Sequence, residues 1–153
     1  VKPSDRGGVA LELLVENTTR GGGCLGEHGL AWWIDTGEHR VLLDTGEGAT
    51  IEHNARARGL DLAALDAVVL SHGHADHTGG LERVLARAPK AAVWLHPRAI
   101  EPKFSASHGR DFVRRISTDY MEHERFRVPG RRVVATATAS EVVAGVWTTG
   151  EIP

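Results

Sequence analysis

The sequence predicts a mixed α/β protein, and three observations carry that expectation. Short apolar runs of strand length open the chain. The middle alternates strand, helix and strand. Breaks rich in glycine or marked by proline separate the runs. Residues 9–16 (VALELLVE) are mostly apolar and predict a first strand. Residues 17–29 carry Gly21, Gly22, Gly23, Gly26 and Gly29 and predict a loop; the glycine triplet lacks the spacing of a phosphate-cradling motif. Residues 30–35 (LAWWID) and 40–44 (RVLLD) predict two strands joined as a hairpin through Thr36–His39. Thr45-Gly46-Glu47-Gly48 breaks the chain, and 49–58 has helical composition with Gly59 placed to stop it. Asn54 is expected on that helix, bonding a neighbouring loop. Ala67-Val68-Val69-Leu70 is continuously apolar, as in a strand covered on both faces. Residues 71–78 predict a polar loop. Residues 80–88 predict a helix with Leu81, Val84, Leu85 and Ala88 on one face, ended by Pro89. Residues 91–95 predict the next strand. Residues 98–127 are rich in charge and show no clear period, and 132–135 and 142–147 predict two late strands. Trp32, Trp33, Trp94 and Trp147 all fall in these strands and are expected to pack in the core or on a sheet face.

The chain has 153 residues, with 41% hydrophobic and 25% charged, which is the balance of an ordinary globular domain. No apolar run approaches the ~20 residues of a membrane-spanning helix, so no membrane partner is expected. The net charge is −2 and the arginines are scattered, so no nucleic-acid partner is expected. Cys24 is the single cysteine, which excludes an internal disulfide and a cysteine-based metal site. The polar start, Val1 to Gly8, has no signal-like apolar segment, and with the missing disulfides it points to a cytoplasmic location. Asn17-Thr18-Thr19 matches a glycosylation sequon and is read as coincidence.

The chemistry concentrates at Ser71-His72-Gly73-His74-Ala75-Asp76-His77, directly after the apolar strand 67–70 and before a helix. Strand ends are where α/β proteins place their sites. His72 and His74 are two apart, so in an extended loop both imidazoles can face one metal ion. Asp76 and His77 turn with the chain and can reach a second. Two ions about 3.5–4 Å apart can hold a hydroxide and polarise a carbonyl or phosphoryl oxygen. Imidazole with carboxylate suits two divalent ions, zinc first, with iron or manganese as alternatives. Small residues at Gly73 and Ala75 leave room for ions, and Gly79 and Gly80 permit close packing where the helix starts. An adventitious histidine-rich surface tract is the competing reading. The position of the run inside a strand–loop–helix unit argues against it.

This run resembles the HxHxDH signature of the metallo-β-lactamase superfamily, whose fold is an αββα sandwich with a dinuclear site. The resemblance implies that His72 and His74 bind one metal and Asp76 and His77 the other. It also implies that Asp44, in Leu42-Leu43-Asp44-Thr45-Gly46, braces the metal loop by hydrogen bonding; a plain turn-initiating Asp is the alternative. Glu27-His28-Gly29-Leu30, Asn54-Ala55, His96-Pro97 and Thr149-Gly150-Glu151-Ile152-Pro153 resemble, in the same order, one branch of the superfamily. Its members are named 7,8-dihydropterin-6-methyl-4-(β-D-ribofuranosyl)aminobenzene-5′-phosphate synthases or metal-dependent hydrolases. His28 is therefore a candidate to meet substrate or move a proton, against the plain reading of a loop His, and His96, at a strand end before Pro97, is a candidate substrate contact, against that of a surface His.

A complete site of this type needs further ligands, and by resemblance they lie after the Thr-Gly-Glu-Ile-Pro segment. His108 and His123 do not follow buried strands and are read as solvated. Residues 1–153 are accordingly expected to form the N-terminal portion of one such domain, about its first half, which a missing C-terminal half or a second copy would complete. The leading expectation is a metal-dependent hydrolase of a small anionic metabolite that uses a metal-bound hydroxide, with Asp76 positioning it and taking a proton. The alternatives are a synthase for a pterin ribosyl phosphate compound and a non-enzymatic metal-binding or assembly half.

Overall fold

The alternation of buried and exposed residues along the strands builds one central sheet. The computed structural model describes residues 8–19, 21–106 and 113–152. Strands β1 (Ala10–Val15), β2 (Ala31–Asp35) and β3 (Arg40–Leu43) form an antiparallel meander. Strands β4 (Ala67–Val69), β5 (Ala92–Leu95) and β8 (Val133–Ala135) extend it in parallel, in the order β1-β2-β3-β4-β5-β8. The Thr36–His39 hairpin is as expected, closed by Thr36 N–H donating to the His39 carbonyl at 2.9 Å.

Helices α1 (Ile51–Ala57) and α3 (Leu81–Arg87) serve one face of this sheet. Gly59, at φ +68°, ends α1. The N–H groups of Gly59 and Leu60 donate back to the Arg56 and Ala55 carbonyls at 3.0 and 2.8 Å, satisfying groups the helix leaves open. Leu81, Val84 and Leu85 of α3 and Ala88 just after it are buried against Leu42, Val68, Val93 and Leu95 of the sheet. The alternate strand residues Val41, Ala67 and Trp94 face the other way, where Val142, Val143 and Val146 meet them. Period-two alternation thus splits the core into two layers.

Three expectations are corrected, and the charge-rich region, which carried none, takes on elements. Residues 142–147 are not one strand but the turn of a hairpin, β9 (Thr138–Val143) with β10 (Val146–Gly150). Gly145 sits at φ +78°, which an apolar-run reading overlooks. The loop 71–78 contains a helical turn, α2 (Ala75–Thr78), which His74 leads into. The charge-rich region holds a 3-10 turn at Pro97–Ile100, a hairpin of β6 (Phe104–Ala106) and β7 (Val113–Arg115), and the short helix α4 (Asp119–Glu122). Met121 and Phe126 from that region are fully buried in the helix-side core. Trp33 and Trp94 are buried as expected, but Trp147 is 63% exposed. His108, Val1 to Gly7 and Pro153 lie outside the described residues.

Candidate metal centre

The site is assembled at the ends of β3 and β4, where two loops lock onto one buried carboxylate. Asp44 follows β3 at φ +58°, a left-handed conformation that Asp tolerates better than most residues. Its side chain is fully buried. Oδ1 accepts the Ser71 N–H at 2.8 Å. Oδ2 accepts the Ser71 hydroxyl at 2.7 Å and lies 2.8 Å from His77 Nδ1. A carboxylate that is buried needs this many donors to offset lost water. The Asp44 N–H donates to the Val69 carbonyl, and Thr45 donates its N–H and hydroxyl to the His77 carbonyl at 2.8 and 2.9 Å. Asp44 thus ties Ser71 and His77, at the two ends of the histidine-bearing segment, to the end of β3.

Those bonds gather the histidines. The His72 ring centroid lies 4.5 Å from that of His74 and 4.2 Å from that of His77. Ser71 Oγ lies 2.9 Å from His72 Nδ1. In the turn of α2, His77 Nε2 lies 3.4 Å from Asp76 Oδ2. Burial, and then the neighbouring His77 and His74, push the His72 imidazole below the usual histidine range, which favours the neutral, ligating form. Glycines allow the tight assembly. A Cβ on Gly73 would run into the Ala99 carbonyl, and one on Gly79 or Gly80 into the carbonyls of Glu47 or Thr45. The close packing expected at Gly79-Gly80 is present.

Of the further candidates, His28 does reach the loop: Nε2 is 3.9 Å from Asp76 Oδ2 and Nδ1 is 3.5 Å from Glu47 Oε1. His96 has a structural task, since its Nδ1 accepts the Arg98 N–H at 3.1 Å and caps the 3-10 turn. Among the described residues its Nε2 is buried without a hydrogen-bond partner, with Glu151 Oε2 3.9 Å away, and the residue shares with His72 the lining of a cleft of about 600 Å³ between the central sheet and a hairpin near the C-terminal end. Asn54 is buried on α1 and bonds Leu14 and Leu25 through its amide, as the helix-to-loop reading required. Sequence reasoning missed Ser71 as the link between Asp44 and His72, and Glu47 as the partner of His28. A serine or glutamate carries no pattern that marks either role.

The donor set suits a divalent transition metal. His77 is held through Nδ1 by a buried carboxylate, which leaves Nε2 as the ring nitrogen that could ligate, the arrangement metal-binding imidazoles use. Among the described residues, however, no three His, Cys, Asp or Glu side chains are placed to hold one ion together. The donors fit in kind but are short in number.

The metallo-beta-lactamase superfamily profile matches residues 25–150. The chain belongs to the metallo-beta-lactamase superfamily. Among curated members, it is 27% identical over 132 residues to the 7,8-dihydropterin-6-methyl-4-(beta-D-ribofuranosyl)-aminobenzene-5'-phosphate synthase of Methanocaldococcus jannaschii, covering 82% of this chain and 44% of that protein. It is 43% identical over 58 residues to the hydroxyacylglutathione hydrolase of Cupriavidus metallidurans, covering 38% of this chain and 21% of that one. The Rm3 metallo-beta-lactamase superposes at a TM-score of 0.52 with 21% identity, over 81% of this chain and 45% of that one, which bears on the fold alone. The chain thus spans less than half the length of these superfamily members, and its sheet with helices on one face is part of their fold.

Proposed function

We propose that this chain carries the metal-binding loop of a metal-dependent hydrolase that acts on a small anionic metabolite. The carrying observation is the convergence of His72, His74 and His77 at the end of β4, with His77 locked by buried Asp44. His72 and His74 would hold one divalent ion, and Asp76 and His77 a second, zinc first and iron or manganese as alternatives. Such ions supply Lewis acidity and lower the pKa of water beside a carbonyl or phosphoryl group. Asp44 keeps His77 in one tautomer, and Ser71 orients His72. Asp76 takes the proton of the attacking water at Oδ2.

Two protein ligands per ion fall short of the three or four zinc usually has. We therefore propose that residues 1–153 act as the N-terminal portion of one domain, and that a C-terminal half or a second copy supplies the rest. Net charge −2 supports a small-molecule substrate over nucleic acid. No helix among the described residues is long and apolar enough to cross a membrane. The single cysteine, which leaves no internal disulfide, supports a cytoplasmic setting. A second reading, a synthase for a pterin ribosyl phosphate compound, is favoured by the 82% coverage in the match to the M. jannaschii synthase.

Metal content and thioester or phosphodiester hydrolysis, measured on the same preparation, test the proposal. Bound divalent metal and activity should both be lost on chelation and in His74→Ala. Hydrolysis that survives full chelation would sink it.

A further inference from the structure

The segment before β2 is anchored on both sides of a single exposed side chain. Glu27 reaches away from its own loop and accepts three successive backbone N–H groups: Gly48 at 3.1 Å, Ala49 at 2.8 Å and Thr50 at 3.1 Å. Its own N–H donates to the Glu16 carbonyl at 3.2 Å. On the far side, Gly29 N–H donates to Asn17 Oδ1 at 3.0 Å and Leu30 N–H to the Asp76 carbonyl at 3.3 Å. Gly29 stands at φ +132°, and a Cβ there would run into that same carbonyl, so the loop backbone lies directly on α2. Two residues upstream, Leu25 is held through both its N–H and its carbonyl by the buried Asn54 amide. Between these anchors His28 remains 63% exposed, with Glu47 at one ring nitrogen and Asp76 at the other. A surface histidine on a glycine-rich loop normally samples several rotamers and pays entropy to settle in one. Here the backbone on both sides is already fixed, and the Glu47 carboxylate orients the ring.

We propose that Glu27 is a positioning residue that seats the His28 imidazole over the Asp76 carboxylate, at the mouth of the metal loop, as a side chain facing the occupant of the site and not as a metal ligand. This rests on the metal-centre reading above. Glu27 acts through the 48–50 backbone and touches neither metal nor substrate. Because its carboxylate ties the His28 loop to the turn that follows Asp44, it joins the loop to the brace of the metal residues.

The test uses the full chain with isotope-labelled histidine, titrated with Co²⁺ and read by NMR. Paramagnetic Co²⁺ should shift the ring signals of His72, His74, His77 and His28. In Glu27→Ala the His28 shift should be lost while the other three persist, and Glu27→Gln, which keeps one acceptor oxygen, should fall between. General damage to the fold would move all four signals together. His28→Gln should leave the Co²⁺ stoichiometry unchanged. A wild-type His28 signal that Co²⁺ leaves in place while it shifts the other three, an unchanged His28 shift in Glu27→Ala, or lost stoichiometry in His28→Gln would each overturn the proposal. If Glu27→Ala does not fold, Glu27→Gln decides alone, a reduced His28 shift supporting and an unchanged one overturning. If Co²⁺ moves no histidine, the metal reading has failed. The seating of His28 is then judged in metal-free protein by diethyl pyrocarbonate labelling and mass spectrometry. A severalfold faster reaction of His28 relative to His53 in Glu27→Gln supports it, and an unchanged ratio overturns it.

Discussion

The two faces of the central sheet are built to different degrees. On the helix side, α1, α3 and the segment around Met121 and Phe126 close a continuous core in which Leu42, Ile51, Val68, Leu81 and Val93 are fully buried. On the other side the β9–β10 hairpin covers Val41, Ala67 and Trp94, yet a cleft of about 600 Å³ stays open, and Leu11 and Trp147 remain 60% and 63% exposed. The candidate metal loop sits at the end of the strands where the two faces meet. It draws its rigidity from hydrogen bonds to Asp44 and its boundary from the open side. The difference sets a closed core on the helix side against a candidate site that borders the side least filled.

Substitutions can break this contrast. Leu85→Ala, on the closed face, should cost about 2–5 kcal/mol, because it removes apolar contacts and leaves a cavity; urea unfolding would read it. Trp147→Ser, on the open face, should change stability by no more than about 0.5 kcal/mol. Equal losses at the two positions would erase the distinction.

Asp44→Asn sharpens the role of the brace. Asn tolerates the left-handed backbone but presents one acceptor oxygen to the Ser71 and His77 donors. Metal affinity should fall by about 10–100-fold, measured by competition with a chromogenic chelator, while helical circular dichroism stays unchanged. A drop in stability as large as that of Leu85→Ala would mean that Asp44 serves the core more than the site.

The smallest effect is on pH. The His72 imidazole titrates below the ordinary histidine value, so the unfolded chain binds its proton first as pH falls. Stability of the metal-free chain should therefore be complete above about pH 6.5, the unfolded value, and decline as pH drops from there toward the lowered folded value. His72→Gln should flatten that slope. An unchanged slope would assign it to other groups.

Much of this was legible in the sequence because it is local. The β2–β3 hairpin, the glycine stop of α1, the 3.6-residue stripe of α3 and the clustering of His72, His74, Asp76 and His77 each occupy a few adjacent residues. The reading lost accuracy where context decides. Val142 to Trp147 looked like one apolar strand because a hairpin turn needs only Ala144 and Gly145 to reverse it. Met121 and Phe126 were hidden in a charged segment because single buried side chains leave no period. The helical turn at Ala75–Thr78 was too short to show one.

By itself the sequence determined an α/β chain with a metal-type histidine loop, because strand alternation, helical periodicity and ligand spacing are properties of neighbouring residues. Only the tertiary structure decided that Asp44, 33 positions before His77, locks that imidazole at 2.8 Å, and that Glu27 spans to residues 48–50 with His28 left facing Asp76. Those pairings depend on which strand lies beside which. A buried carboxylate takes whatever donors the fold delivers, and no local pattern states which donors those are.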